Sequence, residues 1–216
     1  MTAPTHKQYS VTFAFITCII VFLTDITSIN YYLMLVIMLM ASKYGALFPD
    51  IDHSWQNVKE KTVPNWILNK LIHLTGGKHR SWQTHSIDIV VIFTVLSYII
   101  PHKLYDNKII DYINLELILI VLIGFCSGWI SHIFADMWTS AGVRLFCFSK
   151  KKLAFVPKRI GSLEFKTGEA WEEFCFKTVK FINVFLGLAS VLFPLIYDGT
   201  LNNLIYRLIS FLGINS

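Results

Sequence analysis

The stretch Leu115-Glu-Leu-Ile-Leu-Ile-Val-Leu-Ile-Gly-Phe-Cys-Ser-Gly-Trp-Ile130 runs without a break into Ser131-His132-Ile133-Phe134-Ala135-Asp136-Met137-Trp138-Thr139-Ser140-Ala141-Gly142. A nearly uncharged run of roughly 18 residues reads as a membrane-spanning helix, because about 20 residues at about 1.5 Å each cross the hydrocarbon. Its end carries chemistry. His132 and Asp136 stand four positions apart, which on a helix places an imidazole and a carboxylate on one face, with β-carbons about 5–6 Å apart. That spacing suits a metal ion.

Four more apolar runs flank this one: Val11 to Leu23, Tyr31 to Phe48, Ile87 to Ile100 and Val179 to Tyr197. The first is short for a full span, Asp25 and Asn30 mark a turn after it, and the first two form a helical hairpin. Pro49 is expected to stop the second helix and Pro101 the third, leaving His102 to Asn114 as a polar loop. Asn65 to Leu74 has the spacing of an amphipathic helix lying at a membrane interface, with an ordinary packed surface helix as the alternative. Arg144 to Lys177 reads as a basic tail and Leu201 to Leu212 as a short amphipathic C-terminus. The expected fold is all-α, an integral membrane helical bundle of about four or five spans, forming a single domain over 1–216 with a basic cytoplasmic segment at 144–177.

Composition agrees. The chain of 216 residues is 54% hydrophobic, with a formal net charge of +5. No basic helix or RNA-type aromatic motif points to nucleic acid, so basic loops beside membrane helices explain the charge. Cys18, Cys126, Cys147 and Cys175 form no CxxC pair and read as small hydrophobes rather than a disulfide framework or a zinc site. No Ala-x-Ala-like site follows Val11 to Leu23, so a cleaved signal is not expected.

Two further stretches carry the same side chains as the central one: Phe48-Pro49-Asp50-Ile51-Asp52-His53, and His79-Arg80-Ser81-Trp82-Gln83-Thr84-His85-Ser86. Each lies at the end of an apolar segment, so the three are expected to converge at one depth and form one site. With the N-terminus inside, the Lys and Arg of the loops fall overwhelmingly on the side that holds all three motifs. The outside keeps only Lys103, Lys108 and Arg207, and the positive-inside rule then makes the site cytoplasmic in a multi-pass cell-membrane protein.

Asp50, Asp52, His53, His79, His85, His132 and Asp136 are the borderline-hard donors suited to zinc, with manganese as the alternative. They outnumber the ligands of one tetrahedral ion, so more than one ion, or ligands plus residues that orient them, is expected. Arg80 is placed to clamp an anionic oxygen, or to meet a headgroup or a salt-bridge partner. Asp50 or Asp52, whichever a metal does not use, is a candidate general base, which makes Asp52 and Arg80 the catalytic candidates. Ser86 and Thr139 lack an orienting third group and suit hydrogen bonding or capping better than nucleophilic attack.

Pro49-Asp50-Ile51-Asp52-His53, His79-Arg80 with Thr84-His85-Ser86, and Ser131-His132-(x3)-Asp136-(x2)-Thr139-(x2)-Gly142 resemble the signatures of the YdjM-type membrane-bound, metal-dependent hydrolases, some of which are LexA-regulated. Thr5-His6 is similar to that family's N-terminal histidine, and Thr167-Gly168 with Glu172 to its Thr-Gly-(x3)-Glu element. The resemblance adds His6 and Glu172 to the metal candidates. The ligand pattern is more distantly similar to the all-helical zinc-dependent phospholipases C and single-strand nucleases, which implies phosphodiester hydrolysis at a multinuclear zinc site. The expected substrate is a phospholipid or another membrane-proximal phosphoester, and the expected partner is membrane lipid. A non-enzymatic membrane protein with a structural or transported ion is the competing expectation. One extra residue separates Arg80 from Thr84 relative to the family's usual spacing, which shifts His79 relative to His85.

Overall fold

The computed structural model describes residues 1–24, 27–58, 61–160 and 163–200. Seven α-helices are present among them: α1 (Ala3–Leu23), α2 (Tyr31–Gly45), α3 (Val63–Leu74), α4 (Trp82–His85), α5 (Ile87–Asp106), α6 (Tyr112–Met137) and α7 (Ala170–Tyr197). Two 3-10 turns, Pro49–Asp52 and Trp55–Asn57, follow α2. A hairpin of two-residue strands, β1 (Arg159–Ile160) and β2 (Leu163–Glu164), precedes α7. Five segments are long and apolar enough to cross a membrane: Ala3–Leu23, Tyr31–Asp52, Ile87–Asp106, Tyr112–Met137 and Ala170–Tyr197. The protein is an all-α membrane helical bundle.

Helix α6 is the axis. Helices α1 and α2 pack on it and on each other, α5 packs on α6, and α7 packs on α1. Apolar side chains gain little by leaving lipid for one another, so close approach of small residues and interhelical hydrogen bonds must hold such a bundle. Both are present between α2 and α6. A β-carbon on Gly128 would stand 1.9 Å from the Ser42 carbonyl oxygen, and one on Gly45 would stand 2.0 Å from that of Phe125. Polar links complete the contact. Ser42 Oγ donates to the Ser10 carbonyl of α1 at 2.9 Å, and Ser127 Oγ donates to Ser42 Oγ at 3.3 Å. At the opposite end, Glu116 accepts from Ser28 N at 2.9 Å and Ser28 Oγ at 2.6 Å, tying the α1–α2 connection to the start of α6.

Several element boundaries differ from the sequence expectation. Helix α1 begins at Ala3 rather than Val11, which gives a span of 21 residues. Its polar first turns are tolerated because Thr5, His6 and Ser10 face the bundle and are buried. Pro101 does not stop α5, which continues to Asp106. A proline removes one N–H from a helix, and His102 Nδ1 still bonds the Tyr98 carbonyl at 2.7 Å. Helix α7 starts at Ala170, so the end of the expected basic tail is helical, with Glu172 and Glu173 in the first turn complementing the helix dipole and Glu173 paired with Lys177 at 2.7 Å. Asn30 caps α2, accepting from the Tyr32 and Leu33 amides. Asp25, the Leu201 to Leu212 segment and Arg207 lie outside the described residues.

The amphipathic helix expected at Asn65 to Leu74 is α3, begun two residues earlier by the Thr62 cap and Pro64. Its inner face clamps a loop. Buried Asn69 donates through Nδ2 to the carbonyls of Ile51 at 2.5 Å and His53 at 2.8 Å. Its outer face leaves Val63, Ile67, Leu71 and Leu74 exposed.

Candidate metal centre

The up-and-down course of the spans sets one end of the bundle. The starts of α1, α5 and α7 and the ends of α2 and α6 all lie there, and the three motif stretches converge on it. On α6, Gly124, Gly128, His132 and Asp136 recur every four residues, so they share one face. The glycines bring α2 close, and the next turn then reaches it: His132 Nδ1 donates to the Ala46 carbonyl at 2.6 Å. This fixes the tautomer and turns Nε2 toward the centre.

His85 is fixed in the same way from another side. Its Nδ1 stands 2.9 Å from Thr84 Oγ1 and 3.3 Å from Asp52 Oδ2, while Thr84 Oγ1 donates to that same Asp52 oxygen at 2.7 Å. The Nδ1 hydrogen therefore points at acceptors, and Nε2 faces inward without one. The α4 turn is pinned by Trp129 Nε1, which donates to the Thr84 carbonyl at 2.6 Å. The result is a pair of imidazole Nε2 atoms 3.2 Å apart, each presenting a lone pair to the other.

Asp50 joins these two histidines in one grouping, and Asp136 approaches the same two nitrogens from the other side. Asp136 Oδ2 lies 3.7 Å from His85 Nε2 and 3.8 Å from His132 Nε2, and Asp50 Oδ1 lies 3.7 Å from His132 Nε2. Ligand atoms about 2.0–2.1 Å from a tetrahedral ion stand about 3.3–3.4 Å from one another. The observed spacings bracket that value, so a divalent cation fits the donor set. A second grouping, Asp50, His53 and His79, shares Asp50 with the first, and a third joins His6, His132 and Asp136.

His53 and His79 stack with ring centroids 3.5 Å apart, and His53 Nε2 is 3.7 Å from Asp50 Oδ1. Burial, and then the neighbouring His79, push the pKa of His53 below its ordinary value, which keeps its nitrogen free for a cation. The first cluster is closed, with His85, His132 and Asp136 at 0–1% exposure, whereas His53 and His79 are 32% and 37% open. His79 and His85 fall in different groupings, as the extra residue after Arg80 suggests.

Other sequence candidates take distinct places. Asp52, expected as a ligand or base, is fully buried with both oxygens engaged: Oδ1 with His79 Nδ1 at 3.0 Å, and Oδ2 with Thr84 and His85. It lies behind the ligand nitrogens and orients two histidines. Glu172 stands outside the three groupings. It accepts from the Thr2 amide, from Thr2 Oγ1 at 2.7 Å and from the Gly168 amide at 2.6 Å, holding the start of the chain to α7. His6 stacks flat on His132, with centroids 3.7 Å apart, and its Nε2 lies 3.4 Å from Asp136 Oδ1.

Arg80 adopts φ 60°, a left-handed conformation that costs a non-glycine residue about 1–2 kcal/mol. Its Nη2 donates to Asp136 Oδ1 at 2.9 Å and its Nη1 to Thr139 Oγ1 at 3.4 Å, while buried Nε has no partner in the protein. Residues missed in the sequence are Gly128, Ala46, Asn69 and Trp129, which act by position. Of these, the Gly124-(x3)-Gly128 spacing was a readable signal for close helix packing.

Residues 1–201 match the model of the YdjM inner membrane protein family. The chain is 28% identical over 110 residues to uncharacterized protein YvsG of Bacillus subtilis (strain 168), an alignment covering 51% of this chain. It covers 56% of that curated relative, so the chain spans little more than half its length. No solved structure matches the chain. A family match that runs from the first residue through all five apolar helices makes the chain a member of the YdjM inner membrane protein family.

Proposed function

We propose that this protein is a metal-dependent hydrolase embedded in the membrane, cleaving a phosphoester of a lipid or another membrane-proximal substrate. The observation that carries the reading is the pair of inward-facing Nε2 atoms of His85 and His132, 3.2 Å apart, with both Nδ1 hydrogens already committed elsewhere. Two converging lone pairs repel unless a cation lies between them. Asp50 adds negative charge beside them, and Asp136 offers its Oδ2 while its Oδ1 is held by the Met1 ammonium at 2.5 Å and by Arg80 at 2.9 Å. Zinc is the preferred ion and manganese the alternative. His85, His132, Asp136 and Asp50 would hold one ion; Asp50, His53 and His79 would hold a second on the open side; His6 borders the closed one.

A divalent ion bound there supplies a Lewis acid that acidifies a water and offsets the charge developing on a phosphoryl group. The chain's own groups do the rest. Asp52 holds protons at Nδ1 of His79 and His85, which keeps both Nε2 atoms as donors. Arg80, with Nε unpartnered and its backbone held in a rare conformation, binds an anionic substrate oxygen. The opening beside His53 and His79 favours catalysis, because a purely structural ion is normally closed off on all sides. Lys61, Lys70, Lys78, Arg144 and Lys150–Lys152 lie at the site end, against Lys103 and Lys108 at the other, which supports a cytoplasmic site.

The test is phosphodiester and phospholipid hydrolysis by the detergent-purified protein. Chelation is expected to abolish turnover and zinc or manganese to restore it, and Arg80→Ala is expected to lower kcat/KM about a hundredfold. A protein that holds its metal but cleaves no phosphoester would instead support a structural or transported ion. Asp52→Asn is expected to weaken metal binding about 10–100-fold without removing a ligand, measured by competition with a chromogenic chelator. Unchanged affinity would contradict its orienting role.

A further inference from the structure

The connection from α6 to β1 forms a finger at the site end of the bundle. Its base is clamped. Val143 and Leu153 exchange backbone hydrogen bonds at 3.0 and 2.8 Å, the Phe155 amide donates to the Met137 carbonyl at 2.7 Å, and the Ile87 amide donates to the Leu145 carbonyl at 2.8 Å. Asp88, in the first turn of α5, accepts from the Cys147 amide at 2.8 Å. The tip has local order of its own, since the Ser149 amide donates to the Phe146 carbonyl at 3.1 Å and the Lys151 amide to Ser149 Oγ at 3.2 Å.

What this built tip displays is unusual for a water-exposed loop. Phe146 and Phe148 stack with centroids 5.5 Å apart, yet Phe148 is 81% exposed. Lys150, Lys151 and Lys152 follow, all exposed and with no carboxylate partner among the described residues. Aromatic rings beside lysines match the headgroup layer, where rings enter the acyl boundary and each cation near an anionic surface contributes about a fivefold preference. The base of the finger bonds the end of one span, at Met137, and the start of another, at Ile87, so it sits where two spans leave the hydrocarbon.

We infer that the Phe146–Lys152 finger is an anionic-phospholipid contact, inserting its two phenylalanines between headgroups and binding lipid phosphates through its three lysines. The inference is independent of the metal chemistry. A nucleic-acid strand is the other polyanion that lysines and rings could take, but the finger's place on a membrane bundle favours lipid.

Cys147 offers the probe, since Cys18, Cys126 and Cys175 are buried and Cys147 is exposed. Hydrogen bonding to Asp88 pushes its thiol pKa up, so labelling is done at alkaline pH. The native chain, carrying an environment-sensitive fluorophore at Cys147, is placed in nanodiscs of phosphatidylcholine with or without phosphatidylglycerol. Emission is expected to move to shorter wavelength with phosphatidylglycerol and to return at high salt. The Lys150→Gln/Lys151→Gln/Lys152→Gln variant is expected to lose that shift while keeping its thermal unfolding temperature. Equal emission in both lipids, or a shift insensitive to salt and to the triple variant, overturns the inference. A shift produced by a single-stranded oligonucleotide and not by phosphatidylglycerol overturns it in favour of a nucleic-acid partner. The salt response of the native chain decides the matter even if the triple variant fails to assemble.

Discussion

His132→Ala, purified in detergent beside the native chain, is expected to lose its bound zinc or manganese, with affinity falling by at least about a thousandfold. His132 belongs to two of the three ligand groupings, and its Nε2 is the atom from which His85, Asp50 and Asp136 are measured at 3.2, 3.7 and 3.8 Å. Removing it opens both groupings and strips one wall from the stacked His6 ring. Losing a first-sphere donor should exceed the roughly 10–100-fold cost of losing an orienting partner such as Asp52. Elemental analysis of the two proteins checks this. His132→Gln keeps a polar group near the Ala46 carbonyl and separates loss of metal from loss of fold. A His132→Gln protein that unfolds at the native temperature and retains full metal would sink the proposed centre.

Gly128→Ala is expected to cost at least about 3 kcal/mol, because overpacking of a core commonly costs about 1–3 kcal/mol and here the added carbon meets backbone. The methyl would lie 1.9 Å from the Ser42 carbonyl oxygen and 2.7 Å from its carbon, so α2 has to move. Displacing α2 lengthens the His132–Ala46 bond, and metal affinity should fall with stability even though the site is a full turn away. Gly187→Ala is the control, since its added carbon would meet Phe15 Cζ at an ordinary 3.4 Å. Thermal unfolding in detergent, with metal content measured on the same samples, compares the two. Equal melting temperatures for the pair would show that α2 and α6 do not depend on this contact.

Both expectations join features that differ in how legible they were. The spans, though not whether they number four or five, and the amphipathic α3 follow from the pattern of apolar residues, since a helix in lipid must be long and nearly uncharged. That Asp50, His53, His79, His85, His132 and Asp136 come together at one end was legible, because each stands at the end of such a run and alternating spans bring those ends to one side. Helix ends were less legible. The polar start of α1 lies outside the apolar run that begins at Val11, yet Thr5, His6 and Ser10 are buried in the bundle, and Pro101 reads as a stop although its helix continues.

The sequence by itself determined a membrane bundle with its His and Asp side chains gathered at one end, because hydropathy and residue type are properties of the chain. Only the tertiary structure decided what each of those side chains does. Asp50 and Asp52 are two residues apart and chemically identical, yet one faces the centre and the other stands behind His79 and His85. That division depends on the 3-10 turn after α2, on the Asn69 clamp and on the glycine contact that brings Ala46 to His132. The physical reason is that the role of a polar side chain depends on the partners it meets, and those partners are distant in sequence.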